Sequence, residues 1–395
     1  MEKTGGTLMN TYGRLPVHFA RGEGVWLYDE AGKRYLDGIS GVGVNALGHA
    51  HPAVTEALCQ QAKTLIHTSN LYGVRLQEKL ADKLCQLTGM NRVFFANSGA
   101  EANEAAIKLA RLYGDQRGVQ KPDIIVMERA FHGRTMATLS ASGNRKIQAG
   151  FEPLVSGFIR APYGDLDALR TIAENNSNVV AVLMEPVQGE GGLYPATDDY
   201  LRGLRELCDA REWLLMLDEV QTGNARTGRY FYYQHADILP DVVTTAKGLG
   251  NGVPIGACLA QGRAAEVFKP GNHGSTFGGS PLACAAALAV VTTIEQQDLA
   301  ANAAARGEQL MGQLRQQLAD VAGVKAVRGR GLMVGIELDR PCAALVGQGL
   351  AKGVLINVTA ERVVRLLPPL IASEAEIAQL ADAVVSLVRD FCATT

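Results

Sequence analysis

The hydrophobic rhythm of the chain changes three times. Over the first fifty residues it reads as short extended pieces, and in GVWLYDEAGKRYLD two apolar and aromatic runs flank the turn Asp29-Glu30-Ala31-Gly32, which predicts a hairpin. From about residue 51 apolar side chains recur every three or four positions, so 52–66 and 77–87 are expected as amphipathic helices. The middle then alternates. Short, continuously apolar strands are expected at 92–96, 124–127, 179–184, 214–217 and 241–245, each ending in a polar or glycine-rich loop, with a helix at 100–112 after the first. Such strands alternating with helices argue for an α/β fold with a mostly parallel sheet covered on both faces.

The texture changes again near residue 299. A long helix is expected over 299–321, then strand, turn and strand through VKAVRGRGLMVGIEL, a helix at 342–352, strands at 354–358 and 363–367, a Pro-Pro turn and a last helix at 374–391. This is an α+β unit with its own amphipathic pattern. The expected organisation is therefore an N-terminal segment, 1–52, that joins a small C-terminal domain, 301–395, with a large domain, 53–300, between them.

Composition narrows the class. Among 395 residues 47% are hydrophobic and 20% charged, which excludes a disordered chain or a coiled coil. Thirty-eight basic against forty acidic side chains, with no basic block, give no electrostatic support to nucleic-acid or anionic-membrane binding. The seven cysteines are scattered and contain no CxxC pair, so neither a disulfide framework nor a zinc cluster is indicated. The start MEKTGGTLMN has no apolar signal core, and the run 282–291 is far short of a membrane span. A reduced, cytoplasmic protein is the expectation.

In an open parallel sheet, ligands bind beyond the carboxyl ends of the strands. There the strand at 214–217 runs into Asp218-Glu219-Val220-Gln221, and the strand at 241–245 into Ala246-Lys247-Gly248. A lysine at such a place can be a desolvated amine of lowered pKa, the state suited to Schiff-base formation, although exposed loops also carry lysines. Ser98-Gly99-Ala100 lies between a strand and a helix, where free N–H groups and the helix dipole favour phosphate or carboxylate, and where Asn97 and Ser98 are also ordinary capping residues. STFGG, residues 275–279, offers hydroxyls and amides before another helix, and Phe131-His132-Gly133-Arg134 puts an aromatic ring, an imidazole and a guanidinium in one loop. Together these pieces describe a site for an aromatic cofactor that bears a phosphate and an aldehyde. His49-Ala50-His51 has a metal-like spacing but is expected as a turn, and no metal is expected. GRGLMVG imitates a dinucleotide pattern but leads into a strand instead of a helix.

The motifs YGRLPVHFARGEGVWLYDEAGKRYLDGISGVGVNALGHAHP, HTSNLYG, FFANSGAEANEAAIKLAR, FHGRTMATLSASG, MEPVQGEGG, LDEVQTGNARTG, KGLGNGVPIGA, HGSTFGGSPLACAAALA and RLLPPL follow one another across residues 12–370. In them the chain resembles the pyridoxal-phosphate aminotransferases of the ω-amine group, class III. The resemblance implies fold type I, pyridoxal 5′-phosphate as cofactor and a homodimer with shared active sites. It implies that Lys247 holds the cofactor covalently, that Asp218 pairs with the pyridine nitrogen and keeps it protonated, and that Gln221 bonds the phenolic oxygen. Phe131 would stack on the ring with His132 beside it. Ser98, Gly99 and Ala100 would bind the phosphate, with Thr276 supplied by the other subunit. Glu185 fits either a hydrogen-bonding role near the cofactor or a structural one.

For substrates, the resemblance implies that Arg134 clamps a carboxylate, that Arg365 serves the second carboxylate of 2-oxoglutarate, and that Glu190 masks Arg365 when a mono-carboxylate amine donor binds. Tyr12 and, from the partner, Ser275 would lie near the substrate. The chain departs from the family pattern at Asn224-Ala225-Arg226, where glycine usually precedes the arginine. Val42 stands where the ornithine-using branch has a pocket tyrosine, which leaves room for an acylated amine. The implied reaction moves the terminal amine of N2-acetyl-ornithine to 2-oxoglutarate, giving N-acetyl-glutamate 5-semialdehyde and glutamate, a step of arginine biosynthesis. The alternatives are the same chemistry on succinyl-ornithine, N-succinyl-diaminopimelate, ornithine or 4-aminobutyrate. A nucleotide-dependent dehydrogenase on a doubly wound sheet is the competing class.

Overall fold

Among residues 7–393, which a computed structural model describes, seven strands form the central sheet. Their order is Arg92–Ala96, Gly256–Ala260, Val242–Thr245, Leu214–Asp218, Val179–Met184, Asp123–Met127 and Phe158–Ala161. The first six residues of the expected N-terminal segment and the last two of the chain lie outside the described residues. Val179–Met184, Leu214–Asp218 and Val242–Thr245 are buried at every position, as strands with helices on both faces must be. The helix Gly99–Gln116 lies on this sheet through Ala102, Ala105, Ala106 and Ala110, all fully buried, so the small side chains allow a close approach.

The sheet is parallel except at one strand. Gly256–Ala260 pairs antiparallel with both Val242–Thr245 and Arg92–Ala96. The sequence pattern missed this strand, because GACLA follows a glycine- and proline-rich run that reads as loop, and it missed the edge strand Phe158–Ala161. Reversing one strand restores the common direction beyond it. Arg92–Ala96 therefore ends on the same side as the parallel strands, and Ser98 arrives beside Asp218 and Lys247.

Two four-stranded sheets flank this one, beside a short pair of Val187–Gln188 with Tyr194–Pro195. Val324–Arg330, Met333–Leu338, Val363–Leu366 and Asn357–Thr359 form an antiparallel sheet in that order. The N-terminal strands Phe19–Glu23, Trp26–Asp29 and Arg34–Asp37 form another, completed by Val354–Leu355 in parallel with Arg34–Asp37. The single strand expected at 354–358 is thus two, one in each sheet. Alternation along the chain shows that a segment is extended but not which neighbour it pairs with. Through this exchange the start of the chain is tied to its last hundred residues.

Candidate active site

The carboxyl ends of the sheet converge on a cavity of about 390 Å³. Ser98, Gly99 and Ala100 enter it from the strand Arg92–Ala96, Phe131, His132 and Arg134 from Asp123–Met127, and Glu185 and Glu190 from Val179–Met184. Asp218 and Gln221 come from Leu214–Asp218, and Lys247 from Val242–Thr245.

Asp218 is the best-anchored of these. Its Oδ2 accepts a hydrogen bond from Asn103 Nδ2 at 2.7 Å and shares another with His132 Nδ1 at 2.7 Å, while Oδ1 accepts from the Val220 N–H at 3.1 Å. Asn103 in turn donates to the His132 carbonyl and accepts from Thr244 Oγ1 at 2.6 Å. The opposite ring atom, His132 Nε2, is buried without a partner among the described residues. Beside this network, the carboxylate of Glu185 accepts from the N–H groups of Phe131 (2.8 Å) and Gly189 (3.0 Å), so it joins the two loops that bound the cavity. Burial pushes its carboxyl up to about 7, with the Asp218 charge adding to the effect and His132 opposing it.

Lys247 opens a short 3-10 turn directly after the Val242–Thr245 strand. Burial, reinforced by the Arg365 guanidinium, pulls its ammonium from 10.5 down to about 8, against the carboxylates of Glu190, Asp218 and Glu185. An amine in that range is neutral in a large fraction near pH 8 and can take up or release a proton there.

Arg365 is 2% exposed and does not itself line the cavity; it sits behind two residues that do, Glu190 and Gln221. Its Nη1 donates to Glu190 Oε1 at 2.6 Å and its Nη2 to Asn357 Oδ1 at 2.8 Å, leaving Nε buried without a partner among the described residues. Although burial raises the Glu190 carboxyl, the guanidinium holds it below the ordinary range. Glu190 itself is 41% exposed, so the pair has one fixed partner and one that can leave. Gln221 turns Oε1 toward Arg365 Nη1 at 3.4 Å, which leaves its amide N–H groups for the cavity. Arg134 is exposed, with its guanidinium 5.8 Å from the Phe131 ring centre.

Besides Arg365, three expected residues do not line the cavity of the single chain. Tyr12 is 70% exposed with the Arg14 guanidinium over its ring. Thr276 is exposed, and Ser275 Oγ accepts from the Gly278 N–H and from Asn97 Nδ2 at 3.3 Å. Val42 does not line the cavity either, and Val44 does; Val42 packs half-buried against the core. Sequence reasoning also passed over Asn103. Its signal was available: an asparagine on the alanine-rich face of a helix would be buried without partners unless the site supplied them.

These residues suit pyridoxal phosphate. The helix Gly99–Gln116 leaves the amides of its first turn without intrahelical partners, and Ser98 Oγ takes only that of Glu101, so Gly99 and Ala100 can receive a phosphate. A carboxylate for the ring nitrogen, an amine for the aldehyde and an amide for the phenolic oxygen line the same space, next to the unpartnered Nε2 of His132. The phosphate cradle depends on one backbone approach. A Cβ on Gly256 would lie 2.3 Å from the Ser98 carbonyl oxygen, so Gly256→Ala must push that backbone aside. The expected result is a loss of about 1–3 kcal/mol of stability, the usual scale of overpacking, together with weaker cofactor binding. Denaturant unfolding and a fluorescence titration with the cofactor measure the two.

Fold and site together define a fold type I pyridoxal-phosphate enzyme. The class-III aminotransferase family model matches residues 8–388, and the chain belongs to that family. It is 58% identical over 97% of its length to the acetylornithine aminotransferase of Nitrosomonas europaea, 98% of which is covered, and 49% identical to that of Aquifex aeolicus, over 97% of this chain and 99% of the relative. Among solved structures, the ornithine aminotransferase of Toxoplasma gondii superposes with a TM-score of 0.94 at 34% identity, covering 98% of this chain and 93% of that one. The acetylornithine aminotransferase of Elizabethkingia anophelis gives 0.87 at 33%, covering 97% and 96%. A further Toxoplasma structure is described with partial occupancy of pyridoxal phosphate at its active site.

Proposed function

We propose that this aminotransferase moves the terminal amine of N2-acetyl-ornithine to 2-oxoglutarate with pyridoxal 5′-phosphate. The observation that carries the two-substrate cycle is the buried Arg365 covered by the half-exposed Glu190, which lines the same cavity as Arg134. The choice of donor is supported by the 56–58% identity to relatives named acetylornithine aminotransferase.

When bound, the cofactor supplies an aldehyde that captures the amine and a ring that withdraws electrons from the reacting carbon. Ser98, Gly99 and Ala100 would hold its phosphate, Phe131 would pack against its ring, and Asp218 would stabilise positive charge at its nitrogen. Gln221 donates to its phenolic oxygen. Lys247 Nζ would hold it covalently and, when free, would carry the proton at the reacting carbon.

Acetylornithine has its carboxylate far from the reacting amine, whereas glutamate and 2-oxoglutarate carry a carboxylate at each end. Arg134 serves the far carboxylate of all three. Arg365 serves the near one, and with acetylornithine bound Glu190 neutralises it, because an unpaired buried charge costs on the order of several kcal/mol. Glu190→Gln is therefore expected to spare or improve the glutamate half-reaction and impair the acetylornithine one, while Arg365→Ala does the reverse. Rapid-mixing kinetics of each half-reaction check this; equal losses for both substrates in both variants would remove the switch. Turnover of acetylornithine against succinyl-ornithine, ornithine and 4-aminobutyrate tests the donor, and a higher kcat/KM for any competitor would displace it.

Thr276 fits a shared site in a homodimer. It lies in an exposed apolar region of Leu65, Ile66, Leu71, Tyr72 and Phe277, in which the Phe277 ring meets His67 and Asn70 binds the carbonyls of Ser275 and Gly278. Such a patch needs a cover. Sedimentation should find a dimer, and subunits carrying Lys247→Ala mixed with subunits carrying Thr276→Ala should regain one working site. A fully active monomer would exclude sharing.

A further inference from the structure

We infer that Asn224 is a positioning residue for Lys247, fixing the peptide from which the lysine enters the cavity. The inference rests on Lys247 being the lysine that holds the cofactor. Asn224 lies in the loop after the Asp218 strand and is 1% exposed. Its Nδ2 donates to two consecutive acceptors, Thr245 Oγ1 at 2.9 Å and the Ala246 carbonyl at 3.1 Å, and its Oδ1 accepts from the Tyr230 hydroxyl at 3.3 Å. Both amide protons are thus spent on the two residues immediately before Lys247.

The Ala246 carbonyl belongs to the planar peptide that joins Ala246 to Lys247. It also accepts from the Leu249 N–H at 2.9 Å, so both its lone pairs are engaged and the plane of that peptide is held from two sides. This matters because Lys247 has φ +45°, a left-handed conformation that a residue with a Cβ adopts only when its surroundings enforce it. Asn224 itself sits at φ +55°, where asparagine is among the few side chains at ease. The two loops pack closely, since a Cβ on Gly248 would lie 3.4 Å from that of Asn224. The clamp couples the strand end carrying Lys247 to the loop that follows Asp218, and so sets the amine against the carboxylate across the cavity. Without it the Lys247 backbone can relax toward the right-handed region, and its amine leaves the surroundings of Arg365, Glu190 and Asp218.

The test uses the full-length protein with Asn224→Gly, which tolerates a positive φ and removes the amide with the rest of the side chain, and Thr245→Val, which removes one acceptor and keeps the shape. After dialysis free of cofactor, brief acetylation across a pH series, read by mass spectrometry of the Lys247 peptide, follows protonation of that amine. In Asn224→Gly the midpoint should move up by about half a pH unit or more, toward the ordinary lysine value. Thr245→Val should move it in the same direction by less. In the cofactor-loaded enzyme kcat should fall about tenfold, with the donor KM within about twofold, as a misplaced group predicts. An unmoved labelling midpoint in folded Asn224→Gly overturns the inference, even if the melting temperature falls, because that is a structural role only. If Asn224→Gly does not fold, Thr245→Val decides by the same midpoint. Full activity of Lys247→Ala would instead overturn the cofactor role of Lys247, and the labelling result would still report whether Asn224 places its amine.

Discussion

Lys247→Ala is expected to abolish transamination while the protein stays folded and still binds pyridoxal phosphate without a covalent bond. The loss follows from geometry: among the described residues no other lysine lines the cavity. The variant would lack both the amine that holds the cofactor and the group that carries the proton, each typically worth orders of magnitude. Steady-state turnover and borohydride trapping of the cofactor measure both; near-normal activity or retained trapping would refute the assignment. The isosteric Lys247→Met adds a stability test with a definite sign. Burial lowers the native ammonium to about 8 from 10.5, so between these values the unfolded chain binds more protons and stability rises with pH. Below pH 8 the folded protein carries the whole cost of the buried charge, at most about 3 kcal/mol for such a shift. In the cofactor-free protein, where this amine is free, Lys247→Met should therefore be more stable than the parent at pH 7, and the gain should shrink from pH 8 upward and vanish above about 10.5. Denaturant melts at three pH values suffice.

Asp218→Asn should slow the proton-transfer step by roughly a thousandfold or more, about 4 kcal/mol of transition-state stabilisation. A neutral amide does not stabilise positive charge on the ring nitrogen. The substitution also disturbs the network that holds residue 218. Both carboxylate oxygens now accept: Oδ2 from Asn103 and His132, Oδ1 from Val220. An amide must set its NH2 against one of these donors, and Asn103 cannot reverse its own amide without turning its oxygen against the His132 carbonyl. A stability loss of about 1–3 kcal/mol, the scale of an unsatisfied buried group, should accompany the rate loss. Single-turnover rates and unfolding midpoints separate the two effects. Unchanged single-turnover rates would show that the ring-nitrogen role is wrong.

Much of the site was readable because its residues sit where strands end. The runs at 179–184, 214–217 and 241–245 are apolar enough to be buried strands, and the polar residues just past them, Glu185, Asp218 and Lys247, fall at the edge where a parallel sheet binds ligands. The helix after Ser98 was equally plain. Asn103 and Asn224 were not picked out as site residues, because a polar residue inside a helix or a loop looks the same whether it faces water or a buried carboxylate. Only its partners distinguish the cases.

By itself the sequence determined the alternation of strand and helix, the family motifs and the chemical types at the strand ends, since these follow from local periodicity and from residues close in the chain. The tertiary structure alone decided four things that depend on contacts between distant segments. It reversed the strand Gly256–Ala260, which brings Ser98 to the same edge as Lys247. It divided 354–358 between two sheets. It placed Glu190 on Arg365, 175 residues away, where burial on one side and exposure on the other make a separable pair. And it left Tyr12, Ser275 and Thr276 out of the cavity lining of one chain, because lining residues are set by which distant segments pack together.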